Sequence, residues 1–246
     1  MTAPVAAAPR HVATVAAVPR VRLALVAAGE LFGGVERQVL DLCTYALRRD
    51  AVAPRLLLFY DLELAERARM LGIEPVILRG RHRYAASLVT ATARALADAG
   101  AEVVHVHGYK ATIVSVLAAR RFRATFGLVK TEHGLPEPSR RRNVAWLKSR
   151  VNHRLGLLAT RWGSPVVAYV SRDLADRYAV AHRGLVRTVI PNGIEPLDRT
   201  VFPRPPELDT DRVELGIVGR VTEVKGIGSA LRALACPGLR RRSGST

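Results

Sequence analysis

The sequence predicts a doubly wound, Rossmann-like α/β fold on three observations. From residue 21 onward, short apolar runs alternate with longer amphipathic segments about six times, the pattern of parallel strands joined by helices that cover both faces of the sheet. Apolar residues make up 49% of the 246-residue chain, enough for a core and too much for wholesale disorder. Aromatic residues contribute only 5% and much of the rest is alanine, which suits helices packed on a sheet better than an all-β sandwich. Right-handed crossovers then make this a doubly wound domain.

Strand patterns fall at 21–27, 55–59, 75–78, 103–107, 128–131, 166–170 and 188–190. Each is a brief apolar run with turn residues beside it. Helical periodicity fills the intervals at 34–48, 62–71, 85–99, 111–121, 144–160 and 171–179, where Ser171 reads first as an N-cap. The turn Pro191-Asn192-Gly193 closes this domain, which spans 21–195. A linker follows at 196–212, where Pro203, Pro205 and Pro206 interrupt any period. A new strand at 214–218 runs into a turn at Gly219 and a helix at 227–234, so 213–235 reads as the start of a second domain. Residues 1–20, broken by Pro9 and Pro19 and lacking a charged start, read as a disordered leader rather than a signal peptide. The tail at 236–246 has no apolar face to bury and resembles an out-of-frame reading.

In open α/β sheets, ligands bind beyond the carboxyl ends of the strands. The first such exit carries Gly29, Gly33 and Gly34 ahead of a helix start, which allows close backbone approach and offers free N–H groups to an anion. It lacks the dinucleotide fingerprint and the P-loop lysine, so a plain helix start fits equally well. The fourth strand ends in His105-Val106-His107-Gly108, and alternation puts both histidines on one face. No third ligand accompanies them, so a packed His105 and a cleft-facing His107 are expected rather than zinc. The fifth strand ends in Glu132-His133-Gly134 before a loop with Arg140, Arg141 and Arg142. His133 there fits an acid/base or hydrogen-bonding group and equally a loop-packing one. The segment from Gly219 to Gly226 holds Arg220 and Lys225 beside a helix N-terminus, a grip suited to a phosphate or diphosphate. Asp209-Thr210-Asp211 mimics a metal-binding D-x-D but lies in the proline-rich linker, where it reads as coincidence.

A net charge of +17 raises the question of nucleic acid. The cations are almost all arginine, spread along the chain, and no nucleic-acid-binding motif or aromatic series accompanies them. An anionic lipid surface or substrate fits better than nucleic acid. Cys43 and Cys236 are too few for a disulfide framework, which fits a reducing, cytoplasmic setting. No apolar run approaches the ~20 residues of a membrane span.

The ordered series Gly33-Gly34-Val35-Glu36-Arg37, His105-Val106-His107-Gly108, Thr131-Glu132-His133-Gly134, Val170-Ser171, Ile190-Pro191-Asn192-Gly193-Ile194, Val218-Gly219-Arg220 and Lys225-Gly226 resembles family 4 of the GT-B glycosyltransferases. The resemblance covers 21–234: an N-terminal domain and a short stub of the C-terminal, donor-binding one. It implies retaining, metal-independent hexosyl transfer from a nucleotide sugar to a glycan or lipid-linked acceptor in polysaccharide or glycolipid assembly, with no cofactor and no nucleic-acid partner. His133 is implied as catalytic; Arg220, Lys225, Gly33 and Gly34 as donor-diphosphate ligands; His107, Gly108, Glu132 and Asn192 as the acceptor side of the cleft. The implied setting is cytoplasmic, with peripheral contact at the inner face of the membrane. The family's spaced glutamate pair does not follow Lys225, so a truncated, inactive chain is expected. The alternative is a catalytically dead remnant or acceptor-binding module.

Overall fold

A computed structural model describes residues 20–80, 85–135, 144–194, 215–219, 221 and 225–236. The chain divides into two compact units, one of residues 1–134 and 151–192 and one of residues 135–150 and 193–246.

The first unit is built on seven parallel strands: β1 (Val21–Ala27), β2 (Val52–Leu58), β3 (Val76–Ile77), β4 (Val103–His107), β5 (Gly127–Glu132), β6 (Val166–Tyr169) and β7 (Arg187–Val189). Their spatial order is β3-β2-β1-β4-β5-β6-β7, so the order reverses between β1 and β4 and opens the crevice where such sheets bind ligands. The connecting helices are α1 (Gly34–Leu47), α2 (Glu63–Met70), α3 (Ala86–Asp98), α4 (Gly108–Phe122), α5 (Val144–Gly163) and α6 (Arg172–Arg177).

Strand alternation sorts the core into two layers. Ala24 and Val26 of β1, Leu57 of β2 and Val104 and Val106 of β4 pack with Leu88 and Leu96 of α3 and Ala111 and Val114 of α4. Leu25, Ala27, Leu56 and Leu58 pack on the other face with Val39, Leu40 and Cys43 of α1 and Leu64, Ala65 and Ala68 of α2. Burial pushes the Cys43 thiol up to about 11, leaving an inert core thiol.

The predicted series of strands and helices matches the fold, with three differences. β2 starts at Val52 and passes through Pro54, which pairs with Leu23; β3 meets β2 only at Leu57 and Leu58. The missing proline N–H therefore falls where β2 has one neighbour rather than two. The fourth helix begins at Gly108, not at residue 111, because Gly108 adopts φ +81° and turns the chain from β4 into α4 without a loop. The strand expected at 214–218 does not form over its described residues: 215–218 pair with no strand, and Leu215, Ile217 and Val218 stay exposed. A lone segment has no ladder to complete.

In the second unit, α7 (Ile227–Leu234) starts after Gly226 at φ +68° and buries none of its residues. The leader through residue 19, the linker at 196–212, the arginines at 140–142 and the aspartates at 209 and 211 lie outside the described residues.

Candidate functional site at the carboxyl ends of the central strands

The exits of β1, β4 and β5 bring together most of the residues singled out in the sequence. Leu25 of β1 stands in register with His105 of β4, so His105 and His107 lie on the face opposite Val104 and Val106. Their rings sit 4.3 Å apart between centroids. Nε2 of His105 shares a 2.7 Å hydrogen bond with the Thr131 hydroxyl, which fixes it inside the sheet as expected. Nδ1 of His107 shares a 2.9 Å hydrogen bond with Nε2 of His133, just beyond the end of β5.

His107 differs from expectation in depth. It is only 2% exposed and reaches the crevice through half-buried His133 rather than directly. Its Nε2 is buried without a hydrogen-bond partner. Burial, with smaller contributions from His105 and His133, holds His107 well below the ordinary imidazole range. Burial lowers His133 to about 4. It does the same to His105, with a further push from His133. All three rings are therefore neutral near pH 7.

Neutrality ties the two tautomers together. If His107 carries the shared proton on Nδ1, His133 accepts at Nε2 and must carry its own proton on Nδ1. If His133 donates from Nε2, its Nδ1 becomes an acceptor. His133 Nδ1 can thus meet a ligand hydroxyl as either donor or acceptor.

Glu132, expected at the cleft, turns the other way. Alternation places it with Lys130, and the two form a 2.5 Å ion pair whose side chains are 11% and 4% exposed. Lys130 also donates to the Thr160 hydroxyl at 2.9 Å, which in turn donates to the Gly156 carbonyl at 2.7 Å. The buried His182 sits behind this pair: Nδ1 shares a 2.8 Å hydrogen bond with the Tyr169 hydroxyl, and its ring stacks on Tyr178 at 4.9 Å. Burial, then the neighbouring Lys130, lower His182 to about 4, so its 3.7 Å approach to Glu132 is a contact of a neutral ring. Burial pushes Tyr169 up to about 12. Glu132 is thus a structural carboxylate that anchors the end of β5 beneath His133.

At the β1 exit, Gly29 turns the chain at φ +71° against the Tyr60 carbonyl, and Gly33 and Gly34 open α1. A side chain on Gly34 would meet nothing within 4 Å, leaving room for a ligand to approach. Glu36 folds back onto this helix start: burial raises its pKa, while the Gly33 and Glu36 backbone N–H groups draw it down. Gly108, likewise with open space around it, sits at the β4 exit. Asn192 is exposed at the end of the first unit. In the second unit, Lys225 runs its stem beside Gly219, its Cδ 3.9 Å from where a Cβ there would lie; Arg220 is outside the described residues.

Lys110 carries no motif that singles it out in the sequence, yet it belongs to this end of the sheet. In the first turn of α4 it is 8% exposed, and its ammonium lies 4.5 Å and 4.3 Å from the ring centroids of Phe59 and Tyr60. Cation–π attraction offsets part of its desolvation. The available signal was position: a lysine three residues past a strand-end histidine in an arginine-dominated chain.

Residues 32–196 match glycosyltransferase family 4. No curated protein matches the sequence. Among solved structures, the chain is similar to HepE of Anabaena in complex with UDP, at 19% identity and a TM-score of 0.56, over 70% of this chain and 44% of that one. A glycosyltransferase from Rickettsia africae aligns at 16% identity and a TM-score of 0.50, over 71% and 44%. The lipopolysaccharide outer core galactosyltransferase WaaB aligns at 13% and 0.52, over 76% and 50%. At these identities the likeness establishes the fold, and the chain spans half or less of each of these structures.

Proposed function

Because this chain belongs to glycosyltransferase family 4, we propose that residues 21–195 form the acceptor side of an enzyme moving a sugar from a nucleotide-sugar donor to an acceptor hydroxyl. Residues 213–235 would begin the donor side. The observation that carries this reading is the hydrogen-bonded pair His107 and His133 at the exits of β4 and β5, on the crevice where the strand order reverses.

In the proposed reaction the bond from the anomeric carbon to the donor diphosphate breaks. The acceptor oxygen bonds to that carbon on the same face, and its proton passes to the leaving diphosphate oxygen. No protein nucleophile and no metal take part. His133, held neutral by burial, hydrogen-bonds the transferred sugar as charge develops on it. Arg220 and Lys225 neutralise the departing diphosphate, and the open backbone at Gly33 and Gly34 admits its phosphates. His107 positions His133; Gly108 and Asn192 border the acceptor. HepE is known in complex with UDP and UDP-glucose, which makes uridine-linked sugars the first donors to test. A glycan or lipid-linked acceptor fits, and the net charge of +17 supports peripheral contact with an anionic membrane at which such an acceptor is presented.

The test is transfer from a panel of nucleotide sugars to glycan and lipid-linked acceptors. Turnover that falls about a hundredfold in His133→Ala, at unchanged donor affinity, supports the proposal. Acceptor binding without turnover from any donor sinks the enzyme reading for this chain, as the missing glutamate pair led us to expect, and leaves an acceptor-binding module.

A further inference from the structure

α5 is packed inside out. Its inward positions are small: a Cβ on Gly156 would lie 2.9 Å from Tyr109 Cβ, and one on Gly163 only 2.5 Å from Val116 Cγ2, while Ala159 and Thr160 are buried between them. Leu157 packs inward against Val167, Tyr169 and Leu174, but most of its other large apolar residues point away. Val151, Leu155, Leu158 and Trp162 are all exposed, by 40% at the least and 62% at the most. At 3.6 residues per turn these four positions fall within an arc of about 60°. A helix that only served the core would carry its large side chains inward, so this stripe fits a surface that binds something.

Charge decides what. Arg154 and Arg161 border the stripe, and the twenty residues of α5 include no acid. A second copy meeting this face would set cations against cations with no carboxylate to pair them. An anionic bilayer offers phosphates to the arginines and an acyl boundary to the apolar row, the arrangement of helices that lie in the plane of a membrane. Trp162 suits the headgroup depth. Arg120 of α4 holds it there, with its guanidinium 5.2 Å from the ring centroid and a 2.7 Å hydrogen bond donated to the Trp162 carbonyl. Among the described residues no helix is long and apolar enough to cross a membrane.

We propose that the outward face of α5, centred on Leu155, Leu158 and Trp162 and flanked by Arg154 and Arg161, docks on an anionic lipid surface. The proposal rests on the peripheral-membrane reading above but not on the transfer chemistry. It makes α5 the element that brings the histidine pair to a membrane-borne acceptor.

The chain's two tryptophans, Trp146 and Trp162, are both in α5, so intrinsic fluorescence reports on this helix alone. Vesicles of phosphatidylcholine and phosphatidylglycerol in equal parts should shift the emission to the blue and carry the protein down on sedimentation. Phosphatidylcholine alone should do neither. Arg154→Gln and Arg161→Gln should each weaken binding about fivefold, and Leu158→Glu should abolish it with the circular dichroism unchanged. The proposal is overturned if the mixed vesicles produce no shift, if neutral vesicles bind as well, or if the Leu158 and arginine variants all bind like the parent. Self-association removed by Leu158→Glu, without vesicle binding, would instead assign the face to a second copy. Transfer to a soluble acceptor that persists while vesicle binding fails sinks the docking surface and leaves the proposed reaction standing.

Discussion

Nδ1 of His107 and Nε2 of His133 lie 2.9 Å apart, so a hydrogen bond ties the end of β4 to the residue that follows β5. His107 is the buried member and His133 the half-buried one, which makes the first a positioning residue for the second. Replacing His107 by Leu keeps the bulk and removes the bond; kcat should fall about tenfold with the donor KM unchanged, the worth of one hydrogen bond. His107→Asn, whose amide sits near the place of Nδ1, should recover most of the loss. Equal rates in the parent and the Leu variant would show that the bond has no part in turnover.

Stability should decline on acidification through a defined window. His105, His133 and His182 are lowered to about 4, and burial holds His107 well below its ordinary range, against about 6.5 for an unfolded histidine. Below pH 6.5 the unfolded chain takes up protons that the native rings refuse, so their contribution is whole above about 6.5 and is lost as pH falls towards about 4. Calorimetric Tm should be level with respect to these groups above that window and drop within it. NMR of the imidazole protons should find these rings still neutral at pH 6.

The ion pair of Lys130 and Glu132 is buried, so breaking it by halves is costly. Glu132→Gln should destabilise the fold by about 3–5 kcal/mol, because it leaves a buried ammonium uncompensated, whereas the double change Lys130→Met with Glu132→Leu should restore much of that. Urea unfolding of the two variants decides it. A mild effect of Glu132→Gln on stability with a large one on acceptor affinity would return Glu132 to the cleft.

Gly108 holds φ +81° in open space, and a Cβ added there would meet no atom within 4 Å. Gly108→Ala should therefore cost about 1–2 kcal/mol from backbone conformation alone. A larger loss in urea would mean that α4 had been pulled off the end of β4.

The sequence is most legible where one rule acts alone. The strand patterns at 21–27 and 103–107 match β1 and β4, because apolar runs bounded by turn residues leave little choice. Alternation also places His105 and His107 together. It does not show that His107 meets His133, since that contact bridges two strands whose register places His107 beside Thr131. Position at a strand exit points Glu132 towards the cleft, but its alternation with Lys130, visible in the sequence, points it away, and the alternation prevails. The segment at 215–218 has a strand-like composition, but strands are made by partners, and sequence pattern supplies none.

The sheet's two borders, β3 with two residues and β7 with three, are its shortest strands. A border that short offers little unpaired backbone as a template, which guards the protein against strand addition by another chain and against edge-to-edge aggregation. Recognition is thereby left to side chains, in the crevice and along its helices, and substitutions that lengthened either border would carry a solubility risk out of proportion to their effect on the fold.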